Sequence, residues 1–253
     1  MREWRDCVRL CADPQSWLRL GLDFALSRVL FLLPKDSLNS VRKIRLQGGV
    51  QLCYRLNKGD LHSIREVWFE EVYRLPFDSH AGTLLDLGAN IGLTSVWLAT
   101  KYPIEDVIAV EPDRNNANLA RRNLELNGIR CKVLEVAVGP LDGTAKFQSC
   151  QVSNLGRISD TGVPVPVMTV GTILERSVFS RFALVKIDIE GGEGQLFDGL
   201  TEWLNHTDAI IIELHPVLVD HYRVIEAIVS RGFTYIPSNS VFPRNMDCFK
   251  RTI

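Results

Sequence analysis

No stretch of this sequence is long and apolar enough to cross a bilayer. The most apolar segment, Leu18 to Leu33, is interrupted by Arg19, Asp23 and Arg28, and it falls short of the ~20 apolar residues that a spanning helix needs. An excess of charge is missing too. Lys and Arg number 29 against 30 Asp and Glu, a formal net charge of -1, which leaves no broad basic face for nucleic acid. The six cysteines include no Cys-x-x-Cys pair, so neither a zinc ribbon nor a dithiol redox motif is present. No cleavable secretory start is evident, and reduced thiols in the cytoplasm are the expectation. Internal repeats and low-complexity segments are absent as well.

What is present suits one large α/β domain with a short N-terminal extension: 46% hydrophobic and 23% charged residues over 253 positions. Leu18, Leu22, Ala25, Leu26, Val29 and Leu33 recur at helical spacing, which predicts an amphipathic helix packed on the domain or on a partner subunit in a homodimer. Binding at a membrane surface is the alternative, and the mixed charges of the polar face argue against it. Val41 to Leu56 reads as a small β-ribbon, so residues 1–57 form a helical and ribbon segment ahead of a main domain at 58–253. That domain opens with a helix from Leu61 to Tyr73, packed by Ile64, Val67, Trp68 and Val72.

From Thr83 onward, short runs of Val, Ile and Leu alternate with helical patterns, as in a sheet of βαβ units. Parallel strands are expected at Thr83 to Leu87, Val107 to Val110, Lys132 to Val136, Ala183 to Ile187 and Ala209 to Leu214. Helices are expected at Gly92 to Lys101, from the cap Asp113 to Leu126, at Val170 to Arg176, at Glu193 to Leu204 and at Pro216 to Ser230. Phe233 to Ile236 and Cys248 to Thr252 then close an antiparallel edge hairpin. The fold class is α/β, with a mostly parallel seven-stranded sheet and helices on both faces.

The most informative stretch is LLDLGANIG, Leu84 to Gly92, where a strand runs into a tight turn and then a helix. Ligands of open α/β sheets collect beyond the C-terminal ends of the strands at this place. Gly88, Ala89, Asn90 and Gly92 are therefore candidate cofactor contacts, since glycine allows close approach to backbone. A dinucleotide site asks for GxGxxG, and Asn90 breaks that fingerprint. Asp86 disfavours a pyrophosphate and suits a cationic ligand. Glu111, followed by Pro112, ends the second strand, where a carboxylate can accept both ribose hydroxyls or simply cap the helix at Asp113. Ala137 and Val138 stand where an adenine ring can be flanked, or pack the edge of the core.

DLGANIG, the Glu111-Pro112 pair, KIDIEGGE at Lys186 to Glu193 and IIELHP at Ile211 to Pro216 occur in an order that resembles the FkbM-type methyltransferases, from about Asp60 to the C-terminus. The resemblance implies a Rossmann-like class I methyltransferase fold, S-adenosylmethionine as cofactor, and transfer to a hydroxyl of a small molecule such as a polyketide or sugar.

Methyl transfer to an alcohol needs alignment and a route for the hydroxyl proton. Asp188, Glu190 and Glu193 follow the fourth strand, and Glu213 and His215 end the fifth, so all five face one crevice. His215 is the expected general base because an ordinary imidazole is largely neutral at physiological pH; it can equally well orient the helix after Pro216. Asp188 and Glu190 contact the donor or orient the acceptor, with Glu213 beside them, and the three can also ligate a divalent metal through oxygen. Lys186 pairs with a nearby acid. Ser153 and Asn154 belong to a loop that can cover the acceptor, and Asp60 and Tyr73 either close the site or cap and pack. N-methylation, a nicotinamide-dependent oxidoreductase and a non-catalytic nucleoside-binding module remain as alternatives.

Overall fold

A computed structural model describes residues 9–28, 39–148, 157–158, 161–199, 201–215, 218–237 and 246–252. The first helix among the described residues is α1 (Pro14–Leu26), whose N-cap Asp13 accepts a hydrogen bond from the Ser16 amide. An antiparallel ribbon of β1 (Val41–Arg45) and β2 (Gln51–Arg55) follows. Next comes α2 (Lys58–Ile64), which runs into a π-helical turn over Arg65–Phe69. The expected helix therefore stops before Tyr73, yet Ile64, Val67, Trp68 and Val72 are all buried as its spacing requires.

The main sheet is built from β3 (Gly82–Leu87), β4 (Ile104–Val110), β5 (Arg130–Leu134), β10 (Leu184–Ile187), β11 (Ala209–Glu213), β12 (Phe233–Pro237) and β13 (Met246–Arg251). Their order is β12-β13-β11-β10-β3-β4-β5. Pairing is parallel from β11 to β5, while β13 runs against both of its neighbours, with β12 outside it at the edge. A second sheet joins β6 (Ala137–Val138), β7 (Gly143–Gln148), β8 (Arg157–Ile158) and β9 (Val163–Met168) in the order β6-β9-β7-β8.

Strand residues alternate between two apolar layers because successive side chains leave opposite faces of a pleated strand. Leu84, Val107, Ala109 and Ile211 pack with the ribbon, α2, α3 (Leu93–Lys101) and α4 (Arg114–Leu126). Leu85, Leu87, Ile108, Val110, Ile210 and Ile212 pack on the other face, with α5 (Val170–Glu175) and α6 (His221–Val229). Each such buried aliphatic contributes roughly 1.5–3 kcal/mol.

Three further expected elements differ. The apolar stripe read on α1 faces outward, with Leu18 and Leu22 55% and 54% exposed, while Ser16, Leu20 and Asp23 are buried. Polar anchoring outweighs the stripe: Asp23 accepts the Tyr54 hydroxyl at 2.7 Å and pairs with Arg42 at 3.1 Å. Val29 and Leu33 lie outside the described residues. The helix expected from Glu193 to Leu204 is instead two 3-10 turns, Glu193–Phe197 and Glu202–His206. Gly194 and Gly199 weaken a helix there, and a Cβ on Gly199 would stand 3.1 Å from the Pro140 carbonyl. The helix expected from Pro216 starts at His221, capped by Asp220. Among the described residues no helix is long and apolar enough to cross a membrane.

Candidate active site

The C-terminal ends of β3, β4, β10 and β11 open into a cavity of about 1030 Å³. Gly88, Ala89, Asn90, Glu111, Pro112, Ala137 and Val138 line it, and so do Asp188, Glu190, Glu213 and His215.

In the glycine turn, Gly88, Asn90 and Gly92 have φ of +78°, +49° and +77°. Left-handed backbone at every second residue explains the Gly-x-Asn-x-Gly pattern, because glycine adopts it freely and asparagine tolerates it. Neighbouring protein atoms by themselves demand glycine at Gly88 and Gly92. A Cβ on Gly88 would lie 1.8 Å from the Asp188 carbonyl oxygen, and one on Gly92 would lie 2.9 Å from Ala120 Cα in α4. Gly92 does not line the cavity; it lets α3 approach α4.

Glu111 joins this turn to the start of α4. It is buried, accepts the Asn90 amide on Oε2 at 2.9 Å and the Asp113 amide on Oε1 at 2.9 Å. Burial pushes its carboxyl up to about 7 in spite of those amides. The helix cap itself is Asp113, which accepts the Asn115 and Asn116 amides. Asn90 Oδ1 is buried without a hydrogen-bond partner among the described residues. This orphaned acceptor, in the cavity wall beside a carboxylate, fits a ligand that brings hydroxyl or ammonium donors.

Asp86 is not a cavity residue. It is 0% exposed, accepts the Ser95 hydroxyl at 2.5 Å and pairs with Lys186 at 3.0 Å. The expected contact with a cationic ligand fails because an ammonium of the protein already neutralises this carboxylate. Lys186, 1% exposed, also donates to the Gly88 carbonyl at 2.7 Å. Burial opposes its charge, but Asp86 and Asp188 outweigh that and hold the ammonium above its ordinary range.

At the reacting end, Glu193 is 0% exposed and its Oε1 accepts the Ile189 and Gly191 amides, each at 3.1 Å. The same oxygen stands 3.0 Å from His215 Nδ1, leaving Nε2 toward Glu190 at 3.5 Å. The bond to Glu193 raises His215 to about 9, against the effect of burial, with Asp188 and Glu190 adding to the rise. The ring therefore favours its protonated form, where an ordinary imidazole is largely neutral at physiological pH. Burial and the neighbouring Asp188 push Glu190 up to about 8. Burial also works to raise Glu193, yet His215 and the local amides hold it below its usual range. Asp188, Glu190 and His215 bring ligand atoms within 4.8 Å of one another, so the trio suitable for a metal includes the histidine in place of Glu213.

Tyr73 was legible only as a residue near the site. Its hydroxyl donates to Asp188 Oδ2 at 2.8 Å. Arg55, His62, Ser63 and Glu66 also line the cavity, brought there by the ribbon and α2; no motif in the sequence announced them. Asp60 is structural, binding Arg55 through both carboxylate oxygens at 2.9 Å. Ser153 and Asn154 lie outside the described residues.

The model of the methyltransferase FkbM domain matches residues 86–235, more than half of the chain. The chain belongs to the FkbM methyltransferase family. Methyltransferase 1 of Beauveria bassiana is 23% identical over 197 residues, 67% of this chain and 79% of that protein. The hexuronic acid methyltransferase AglP of Haloferax volcanii is 23% identical over 167 residues, 61% of this chain and 69% of that protein. A solved FkbM methyltransferase from Methylobacillus flagellatus shares the fold with a TM-score of 0.52 and 16% identity, over 98% of this chain and 58% of that one. The FkbM methyltransferase described here is thus a Rossmann-like α/β enzyme with its family motifs gathered around one cavity.

Proposed function

We propose that this methyltransferase uses S-adenosylmethionine to methylate a hydroxyl of a small molecule, such as a sugar or other natural product. The observation that carries the reading is the shared cavity of the glycine turn, Glu111 and the Asp188 to His215 cluster. In this reading Glu111 and Asn90 accept ribose hydroxyls, and Ala137 and Val138 flank an adenine. The donor supplies an electrophilic methyl on sulfur; this chain aligns it and handles the acceptor's proton.

Asp188, Glu190 and Glu213 line the cavity together with His215, and three carboxylates against one imidazole favour a positive ligand. A sulfonium held beside the cluster would lower the pH at which it releases protons, and His215 Nε2, free of Glu193, would then be the acceptor. Glu193 fixes the ring through Nδ1, as a carboxylate does for other catalytic histidines. The same carboxylates can take the proton of an amine acceptor, which keeps N-methylation as the alternative.

The test is incubation of the purified protein and labelled S-adenosylmethionine with metabolites from cells lacking it. A product heavier by one methyl label, reduced at least 100-fold by His215→Ala at saturating acceptor, is expected. Unchanged turnover in that variant would remove His215 from proton transfer. A second reading, favoured by the 4.8 Å clustering, makes Asp188, Glu190 and His215 ligands of a divalent cation. Loss of turnover on chelation, restored by magnesium, is its mark.

A further inference from the structure

Tyr73 lies outside residues 86–235, which match the family, yet it reaches one of the central carboxylates. Its ring is buried, and its hydroxyl donates to Asp188 Oδ2 at 2.8 Å. The Lys186 ammonium sits over the same ring, 5.7 Å from its centre, and 3.9 Å from the same carboxylate oxygen. That ammonium is fixed in turn by Asp86 Oδ1 at 3.0 Å and by the carbonyls of Gly88 at 2.7 Å and Leu87 at 3.3 Å. The next amide, that of Ala89, donates to the Val110 carbonyl at 3.0 Å. The peptide after Gly88 is thus tied on one side to β10 and on the other to β4.

We infer that Tyr73 and Lys186 are positioning residues that together hold the Asp188 carboxylate and the Gly88 turn in the arrangement a bound methyl donor needs. Asp188 follows the last residue of β10, and its own carbonyl fills the space that a Cβ on Gly88 would take. Strand exit, carboxylate and turn are therefore one mechanical unit. Phenol and ammonium approach one carboxylate oxygen from two different elements, which removes the side-chain freedom that ligand binding otherwise has to freeze. The inference rests on the donor-binding reading above.

Tyr73→Phe keeps the ring and removes only the hydroxyl. Titration calorimetry with S-adenosylhomocysteine should show affinity about tenfold weaker than in the wild type, about 1.4 kcal/mol, because binding must then order the freed carboxylate itself. The melting temperature should change by no more than about 2 °C, since the ring still fills its place. A merely structural Tyr73 gives the opposite pattern, a lower melting temperature with affinity kept, and that result overturns the inference. Lys186→Met leaves a buried Asp86 unpaired and risks misfolding; the double variant Asp86→Asn, Lys186→Met removes both charges and should also bind more weakly than Tyr73→Phe alone. A ligand-free crystal structure of Tyr73→Phe supplies the readout that does not need a ligand: Asp188 should rotate off its wild-type position, and an unmoved carboxylate contradicts the inference. If the wild type itself ignores S-adenosylhomocysteine while Asp188 moves in the variant, the donor assignment falls and the positioning role stands.

Discussion

Glu190 keeps a φ of +56°, a left-handed conformation that costs a residue with a side chain about 1 kcal/mol or more. It also holds its carboxyl among Asp188, Glu213 and Glu193, each of which raises its pKa. Glu190→Gly relieves both strains. Urea unfolding should find the variant about 1 kcal/mol more stable, and the labelled-donor assay should find it slower; a variant less stable than the wild type argues that Glu190 is held by favourable contacts instead. The cluster also fixes a pH dependence. His215 is raised from 6.5 to about 9, Glu190 from 4.5 to about 8 and Glu111 from 4.5 to about 7. Each binds its proton more tightly when folded, so stability is full at the low end of each interval and is lost as pH rises through it. The urea midpoint of the ligand-free protein should fall between pH 6.5 and 9, and more shallowly in His215→Gln. A flat or rising profile contradicts the charge assignment.

At the scale of elements, the glycine turn is set by packing. Gly88→Ala places a methyl 1.8 Å from a main-chain oxygen of the neighbouring strand exit, and either β3 or β10 must move. Gly128, after α4, has a φ of +68° but open space around it. Gly128→Ala should therefore cost about 1 kcal/mol, whereas Gly88→Ala should cost more than about 3 kcal/mol and abolish donor binding. Equal costs in denaturant titrations would show that backbone conformation, rather than the approach of Asp188, selects glycine at both. Elements that repeat one period were legible in the sequence: β3, β4, β10, β11 and α4 fall within a few residues of expectation. Those decided by distant contacts were not. α1 is turned by Asp23 toward Tyr54 and Arg42, and the segment after Glu193 breaks into two turns where Gly199 closely approaches the Pro140 carbonyl.

Over the whole molecule, the same contrast holds for the site. Gly88, Asn90, Glu111, Asp188, Glu190 and His215 were legible because each sits at a strand end, where an open sheet collects ligands. Asp86 was misplaced because its partner Lys186 lies a hundred residues on, and period-two alternation does not say which buried acid a buried lysine will meet. The residues before β3 carry more than an appendage would: the Cys53 main chain of β2 exchanges two hydrogen bonds with the Asn123 side-chain amide of α4, and Arg55, His62 and Tyr73 stand in the cavity wall. On the donor-binding proposal, the N-terminal segment and the strand ends wall one continuous nucleoside cavity. Calorimetric titration of the full chain with S-adenosylhomocysteine and with NAD, repeated on Glu111→Ala, tests it most directly. The prediction is binding of S-adenosylhomocysteine, no binding of NAD, and at least a tenfold loss of affinity in the variant. Binding of NAD alone, or S-adenosylhomocysteine affinity untouched by the loss of Glu111, would contradict it.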